Sequence, residues 1–294
     1  MNGMAAAGTG PLAIIAGAGR LPAEIAAELS LRGVPFAVLP LKGVADADFS
    51  AFACYPVGML DPNGVLEQLG RLQARAVILA GAVHRPGIGM VMAGWQAVRH
   101  REEIRRVVQG GDDNLLRGVV AFLEEHGFPV LGVRDVAPRL MAGAGPLGRH
   151  TPGPDDLADI ACGHRALLAM GPSDIGQGVV VAQRRILAVE AAEGTDNMIR
   201  RVATLRRAGL VGRLQRCGRP VVSERAGGVL VKAAKPGQDF RVDLPAVGPR
   251  TVRLARRAGL SGIAVEAGAV LVVDRKATLK AADDAGLFIV GMPA

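Results

Sequence analysis

The start of the chain alternates an apolar run, a glycine-rich turn, a helix-forming segment and a second apolar run. Residues 11–19 predict a buried strand that ends in glycines, residues 21–32 predict a helix, and Gly33 stops it. A second strand is predicted over residues 34–39. Strand, helix and strand in this order form a βαβ unit, whose right-handed crossover makes the two strands parallel. The first part of the chain is therefore predicted to hold a Rossmann-like parallel sheet.

The first predicted strand runs into Gly17 and Gly19, next to the start of the predicted helix. Backbone N–H groups at a helix N-terminus can receive a phosphate. The run is not a full dinucleotide fingerprint, because Pro22 stands where the third glycine would be. Gly17 and Gly19 are therefore candidate substrate-binding residues, and a plain tight turn is the alternative.

A third buried strand is predicted over residues 76–80, followed by Gly81, His84 and Arg85. In open α/β sheets, ligands bind beyond the carboxyl ends of the strands. Gly81 and Arg85 are therefore predicted to contact the substrate. His84 taken alone is better explained as a helix cap.

Glycine and proline are concentrated over residues 138–153, which show no periodicity and predict a linker. Residues 1–137 then form an N-terminal Rossmann-like domain. Residues 154–294 form a C-terminal catalytic domain of mixed α/β type, with a hairpin predicted over residues 179–191. Because strands and helices alternate on both sides of the linker, we expect an α/β protein with a separate sheet in each half.

A polar stretch over residues 232–248 interrupts the apolar pattern of the second half. It contains the charged and amide side chains of Lys232, Lys235, Gln238, Asp239, Arg241 and Asp243. If the stretch is extended, Asp239, Arg241 and Asp243 project to one face. Hard cations such as Mg²⁺ take carboxylate oxygens and leave positions for substrate phosphates. The stretch therefore predicts a site for a cation and a phosphate, with a solvated loop and a surface Arg–Asp pair as the alternative.

A second acidic cluster follows the predicted hairpin. Glu190, Glu193 and Asp196 lie between a strand end and a helix start. Isolated carboxylates bind Mg²⁺ poorly, so we expect this cluster to approach Asp239 and Asp243 in space. Negative charge at a helix N-terminus is stabilising by itself, which is the alternative explanation.

Composition narrows the functional classes. The chain of 294 residues has a net charge of +8 but only one Trp and one Tyr, and it shows no nucleic-acid-binding motif. An anionic membrane surface or a phosphorylated substrate explains the charge as well as nucleic acid does. The three cysteines form no C-x-x-C pair, which fits a reducing cytoplasm and argues against a zinc site. No apolar run reaches about 18 residues, so no transmembrane helix is predicted.

Several segments, in order along the chain, carry a family resemblance. They are LAIIAGAGRLP, AGAVHRP, GGDDNLLR, DIGQGVVV, LAVEAAEGTDNMIRR, KPGQDFRVDLPAVGPRTV and VVDRKATLKAADDAGLFIVG. Together they resemble the LpxI family, the UDP-2,3-diacylglucosamine pyrophosphatases of the lipid A pathway in some Gram-negative bacteria. The resemblance covers nearly the whole chain.

The resemblance implies a two-domain enzyme that hydrolyses the pyrophosphate bond of UDP-2,3-diacylglucosamine to lipid X (2,3-diacylglucosamine 1-phosphate) and UMP. It implies Mg²⁺ as the cofactor, with Mn²⁺ as a substitute, and a lipid-linked nucleotide sugar as the partner. The protein is then expected in the cytoplasm, peripherally associated with the inner membrane surface, without a nucleic-acid partner. A homodimer is a further expectation.

The resemblance and the residue patterns together give the expected site residues. Asp243, in the R-x-D-L-P segment, matches the family's essential aspartate, whereas Asp239 stands at a position where members vary. The expected catalytic residues are Asp243, Arg241, Lys235 and Gln238. The expected substrate-binding residues are Gly17, Gly19, Gly81, Arg85, Gln177 and Thr195. The expected metal ligands are Asp243, Asp239, Glu190, Glu193 and Asp196.

Two other functions stay open from the sequence. The βαβ start suits a nucleotide-sugar-dependent oxidoreductase, although Pro40 and Lys42 stand where such a protein would carry an acidic residue. The basic charge suits a non-catalytic protein that binds anionic lipid, but such a protein does not account for the two acidic clusters.

Overall fold

The computed structural model describes residues 10–83, 112–173, 175–207, 227–235 and 237–293. The chain forms two compact units. The first unit comprises residues 1–138 and 239–243, and the second comprises residues 139–238 and 244–294. The predicted site residue Arg85 and its neighbour His84 lie outside the described residues.

The first unit is built on a parallel sheet of four strands. They are β1 (Leu12–Ala16), β2 (Phe36–Pro40), β3 (Ala76–Ala80) and β4 (Val130–Leu131). Their order across the sheet is β2-β1-β3-β4, and all neighbours run parallel. Every residue of β1 is buried, as expected for a central strand of a parallel sheet. The parallel α/β sheet predicted from the βαβ pattern is confirmed.

Short helices connect these strands and follow them. They are α1 (Leu21–Leu31), α2 (Pro62–Arg71), α3 (Asp112–Glu125) and α4 (Val133–Val136). Helix α2 shows why such starts are predictable from sequence. Asp61 Oδ1 accepts a hydrogen bond from the N–H of Gly64 at 2.9 Å. Pro62 is the first residue of the helix, where an N–H would have no partner within the helix, so a proline is tolerated there.

The second unit contains a mixed sheet of six strands and a separate pair of short strands. Its strands are β5 (Gly145–Pro146), β6 (Gly178–Ala182), β7 (Arg185–Val189), β8 (Val229–Lys232), β9 (Ala246–Val247), β10 (Gly262–Glu266), β11 (Leu271–Val272) and β12 (Phe288–Met292). The large sheet has the order β5-β12-β10-β8-β6-β7, in which β8, β10 and β12 are parallel and the other pairings are antiparallel. The predicted mixed α/β architecture of the second half is confirmed.

Helices cover both faces of this sheet. They are α5 (Pro154–Met170), α6 (Gly194–Arg207), α7 (Pro249–Arg257) and α8 (Arg275–Ala285). Neighbouring residues of β8 pack into different clusters, because strand side chains alternate between the two faces. Val231 packs with Ile160 of α5, whereas Leu230 packs with Ile199 of α6 and Val252 of α7.

The predicted hairpin is formed by β6 and β7, and its turn lies one position earlier than the Arg184–Arg185 pair suggests. Gln183 and Arg184 have positive φ angles of 53° and 59°. The buried carboxylate of Asp159 on α5 accepts hydrogen bonds from their N–H groups at 3.1 and 2.5 Å. These bonds stabilise a left-handed turn that has no glycine.

Residues 139–153, most of the predicted linker, group with the second unit, because β5 pairs with β12 and Ala142 is buried in the core. The boundary between the units thus falls after Pro138, at the start of the predicted linker. Among the helices that the structure describes, none has both the length and the apolar character that a membrane crossing requires.

Candidate functional site

Backbone groups close the carboxyl edge of the first unit's sheet between β1 and β3. The N–H of Gly17 donates to the carbonyl oxygen of Ala80, and Ala18 and Ala82 exchange two hydrogen bonds, all at 2.8 Å. A Cβ on Gly17 would lie 2.7 Å from the carbonyl oxygen of Ala82, and one on Gly81 would lie 2.8 Å from that of Ala18. Both glycines are therefore required for the close approach of two strand ends, and their predicted substrate contact stays a prediction.

Gly19 differs from its neighbours because its N–H points to a side chain. This N–H donates to Oδ1 of Asp46 at 2.6 Å, just before the start of α1. The group that the sequence offers to a phosphate therefore holds an anionic oxygen of the chain itself. The predicted contact of Gly19 with substrate likewise stays a prediction.

Three polar side chains meet at the carboxyl edge of the second unit's sheet. Lys232 ends β8, Glu190 follows β7 and Thr195 lies in the first turn of α6. Lys232 Nζ donates to Thr195 Oγ1 at 2.8 Å, and the Thr195 hydroxyl donates to Glu190 Oε1 at 2.8 Å. The order of donors is fixed, because an ammonium group cannot accept. Glu190 and Lys232 are only 7% and 4% exposed, so this relay is a buried bridge between opposite charges.

The second carboxylate oxygen of Glu190 is the atom of this relay that is left to bind a ligand. Oε2 is buried and has no hydrogen-bond partner. A Cβ on Gly178 would lie 2.5 Å from it, so a side chain at that position would take the space beside this oxygen. Buried polar atoms without a partner are rare in folded proteins and often mark a missing ion, water or ligand. Glu190 therefore has unused capacity to accept a proton donor or a cation.

A second polar link lies on the segment that continues from β8. Gln238 Nε2 donates to Gln177 Oε1 at 3.3 Å, and Gln238 Oε1 accepts from the N–H of Lys235 at 2.9 Å. Glu266, at the end of β10, accepts from the N–H of Ala234 at 2.9 Å. The structure thus joins three of the sequence-predicted site residues, Gln177, Lys235 and Gln238, beside the carboxyl ends of β8 and β10.

The other members of the second acidic cluster have arginine partners. Glu193 pairs with Arg201 at 2.5 Å, and Asp196 pairs with Arg250 at 2.5 Å. Asp196 lies in the first turn of α6, where the helix dipole also favours a negative charge. These contacts explain both carboxylates without a metal ion.

The segment 239–243 belongs to the first unit and forms a turn. The carbonyl oxygen of Asp239 accepts from the N–H groups of Val242 and Asp243 at 3.1 and 3.0 Å, and Asp239 Oδ1 accepts from the N–H of Arg241 at 3.0 Å. The extended geometry that would place three side chains on one face is therefore wrong. The physical reason is that an aspartate side chain can bind the backbone two residues ahead and so favours a turn.

Arg241 uses its guanidinium group within the first unit. Its Nε and Nη2 donate to the two carboxylate oxygens of Asp239 at 2.9 and 2.7 Å, and its Nη1 donates to Glu124 Oε1 at 2.7 Å. The side-chain hydrogen bonds from Arg241 hold the pKa of Asp239 below its usual value, and Asp239 in turn raises the pKa of Arg241. The Arg–Asp pair offered as an alternative thus exists, and Glu124 is its third member.

The predicted metal ligands do not form a cage in the described part of the chain. No three His, Cys, Asp or Glu side chains there stand close enough together to hold a metal ion. Glu190, Glu193 and Asp196 lie in one unit and Asp239 and Asp243 in the other. The approach of the two acidic clusters therefore stays a prediction.

Sequence reasoning placed Lys232 in the polar stretch but gave no role to Glu266 and Glu124. Glu266 ends a strand, so the rule that ligands bind at strand carboxyl ends was sufficient to find it. Glu124 is different, because its partner Arg241 is 117 positions away and no local pattern joins them.

A parallel sheet in one unit and a mixed sheet with helices in the other define a two-domain protein of the α/β class. Residues 11–140 match the family model for the LpxI N-terminal domain, and residues 143–290 match that for the LpxI C-terminal domain. The chain is also 40% identical over 281 residues to UDP-2,3-diacylglucosamine pyrophosphatase LpxI of Caulobacter vibrioides, covering 96% of this chain and 97% of that protein. The chain belongs to the LpxI family, which confirms the resemblance drawn from its motifs.

Proposed function

We propose that this protein hydrolyses the pyrophosphate bond of UDP-2,3-diacylglucosamine, releasing UMP and lipid X in lipid A biosynthesis. The observation that carries the proposal is similarity from end to end: a pyrophosphatase of that name is 40% identical across 96% of the chain. Family models for both an N-terminal and a C-terminal domain of the family match this chain, which supports the same proposal.

The polar residues of the second unit supply the kinds of group that the reaction needs. Hydrolysis requires neutralised charge on the phosphoryl oxygens and a water molecule aligned for attack. The Lys235 ammonium is proposed to neutralise phosphoryl charge. The amides of Gln177 and Gln238, already linked to each other at 3.3 Å, are proposed to orient the substrate.

Asp243 is the proposed catalytic carboxylate. It is half-buried, and its backbone N–H is fixed at 3.0 Å from the carbonyl oxygen of Asp239. A carboxylate held in this way can orient the attacking water and accept its proton as the bond to phosphorus forms. The bond between phosphorus and the bridging oxygen then breaks, and the second phosphate leaves with that oxygen.

Mg²⁺ is the proposed cofactor, with Mn²⁺ as a substitute, and Glu190 is its proposed ligand. Its Oε2 is buried without a partner, as a carboxylate oxygen reserved for a cation would be. Mg²⁺ usually binds through one or two carboxylates and substrate phosphates, so an all-protein cage is not required. When bound, the ion would neutralise the charge of the phosphoryl oxygens. The carboxylates of Asp239, Glu193 and Asp196 fit this role less well, because arginines occupy them.

We further propose a cytoplasmic protein that associates peripherally with the inner membrane surface and assembles as a homodimer. On α5, Leu157 and Leu168 are 53% and 55% exposed, and Arg165 lies exposed between them in sequence. Exposed leucines beside a cation suit an anionic lipid surface. Co-sedimentation with anionic vesicles should weaken in a Leu157→Ser/Leu168→Ser variant, and unchanged sedimentation would remove this surface from the proposal.

Release of UMP from UDP-2,3-diacylglucosamine, measured with Mg²⁺ and with EDTA, tests the activity. We expect UMP and lipid X in equal amounts with Mg²⁺ and little release with EDTA. A folded protein that releases no UMP under either condition would overturn the proposal. Binding of NAD(P)H, followed by the fluorescence of its reduced nicotinamide in the same preparation, would then direct attention to the oxidoreductase alternative.

A further inference from the structure

We infer that Asp239, Arg241 and Glu124 are positioning residues that hold Asp243 in place, and that none of the three touches substrate or metal. The inference rests on the proposed function, since it takes the catalytic role of Asp243 from there. It reassigns Asp239 from the metal site and Arg241 from the catalytic group. Nothing in the sequence assigned Glu124 to the site.

The carboxylate of Asp239 is already filled by hydrogen-bond donors. Oδ1 accepts from the N–H and the Nε of Arg241 at 3.0 and 2.9 Å, and Oδ2 accepts from its Nη2 at 2.7 Å. This fork is the bidentate geometry in which Arg–carboxylate pairs are strongest. A metal ion would have to displace these bonds, so the arrangement stabilises the turn and is unsuited to a cation ligand.

Asp239 also controls the backbone of Asp243 directly. The carbonyl oxygen of Asp239 accepts the N–H of Asp243 at 3.0 Å and that of Val242 at 3.1 Å. The side chain of Asp239 thus binds the backbone N–H of Arg241, and its carbonyl oxygen binds the backbone N–H groups of Val242 and Asp243. Any change that opens the fork between Asp239 and Arg241 loosens the segment that carries Asp243.

Further contacts fix this turn on the body of the first unit. Arg241 Nη1 donates to Glu124 Oε1 on α3 at 2.7 Å. The side chain of Val242 packs against the core of the first unit, and the guanidinium of Arg134 stacks over the ring of Phe240 at 5.1 Å. Arg241 therefore connects the carboxylate of Asp239, within the turn, to the carboxylate of Glu124 on α3.

Exposure sets the size of each contribution. The side chain of Asp239 is 19% exposed, whereas those of Arg241 and Glu124 are 37% and 41% exposed. An ion pair at the surface contributes little, while a misplacement of about 1 Å in a catalytic group can cost on the order of 10²-fold in rate. We therefore expect a large effect from Asp239 and a small one from Glu124.

The kinetic test compares Asp239→Ala, Glu124→Ala and Glu124→Gln with the control Glu125→Ala, which removes the same charge one position further along α3. For UMP release, kcat should fall about tenfold in Asp239→Ala and about threefold in Glu124→Ala, with KM and the Mg²⁺ requirement within about twofold of wild type. Glu124→Gln keeps an acceptor oxygen and should regain most of the rate. Glu125→Ala should match wild type.

Other outcomes would overturn the inference. A raised Mg²⁺ requirement in Asp239→Ala would return that residue to the metal site, and a raised KM in Glu124→Ala would make Glu124 a substrate contact. Equal kcat values for Glu124→Ala and Glu125→Ala would remove Glu124 from the positioning network.

Hydrogen exchange separates this inference from the proposed activity, because it needs no substrate. Peptides covering residues 239–243 should exchange faster in Asp239→Ala and Glu124→Ala than in wild type and Glu125→Ala. If the wild-type protein releases no UMP, only the proposed function is overturned. Unchanged exchange in both variants would end the positioning inference, whatever the enzyme does.

Discussion

Two carboxylates predicted as metal ligands are neutralised in different ways in the two units. In the first unit, Asp239 is gripped directly by the guanidinium of Arg241 in a partly exposed turn. In the second unit, Glu190 is buried and reaches the ammonium of Lys232 through the hydroxyl of Thr195.

The difference decides which carboxylate keeps chemical capacity. A guanidinium fork satisfies both oxygens of its partner at once, whereas a single hydroxyl satisfies one. Glu190 therefore retains Oε2 without a partner, and Asp239 retains no comparable oxygen. The buried bridge is also more sensitive to the loss of one partner. A buried charge that loses its partner destabilises the fold strongly, whereas an ion pair at the surface contributes little to stability.

The largest effect on stability is expected for Lys232→Met, which removes the cation of the buried bridge. The variant keeps the apolar stem but removes the ammonium, so the carboxylate of Glu190 and the hydroxyl of Thr195 stay buried with no cation. We expect a loss on the order of 3 kcal/mol in the free energy of unfolding, measured in urea. Lys280→Met, which removes an exposed lysine paired with Asp284, should cost below about 1 kcal/mol.

The double variant Lys232→Met/Glu190→Gln sharpens this prediction. Glu190→Gln removes the charge that Lys232→Met leaves without its cation, so the double variant should be more stable than Lys232→Met alone. Equal losses in Lys232→Met and Lys280→Met would show that burial does not distinguish the two regions.

Asp243→Ala comes next in size and tests the turn. Removing a positioned carboxylate should cut kcat by on the order of 10²-fold, while product binding and the melting temperature stay close to wild type. If Asp243 instead serves the fold, melting temperature and substrate affinity fall together, and near-saturating substrate restores most of the rate. A folded variant with near-normal kcat would end the catalytic assignment.

Local patterns predicted most of the fold, and long-range pairing accounts for what they missed. The start of α2 was predictable, because Asp61 and Pro62 act on the first turn of their own helix. For the polar stretch, the sequence left open an extended segment or a loop with an Arg–Asp pair, and the loop forms because the side chain of Asp239 binds the backbone of Arg241. The contact between Arg241 and Glu124 had no local pattern to announce it, since 117 positions separate them.

Thr195→Val is expected to have a moderate effect on the buried bridge. Valine keeps the shape of threonine but removes the hydroxyl that accepts from Lys232 and donates to Glu190. The variant loses both hydrogen bonds that join the two buried charges, so we expect a loss of about 1–3 kcal/mol in the free energy of unfolding. Thr195→Ser restores the hydroxyl and should recover most of it. Equal stabilities of the valine and serine variants would show that the hydroxyl does not bridge the two charges.

The smallest effect concerns pH and the turn. Hydrogen bonds from Arg241 hold the pKa of Asp239 below its usual value in the folded protein, whereas an unfolded aspartate titrates near about 3.9. Because the folded pKa is the lower one, the ion pair stabilises the fold fully above the unfolded pKa. This stabilisation is lost as the pH falls through the folded pKa.

The side chain of the Asp239→Asn variant cannot ionise, so the difference in unfolding free energy between wild type and variant should shrink below about pH 4. Urea unfolding of both proteins from neutral to acid pH measures this, with Glu125→Gln as the control for loss of an exposed carboxylate. A difference that stays constant across this range would show that the charge of Asp239 does not hold the turn.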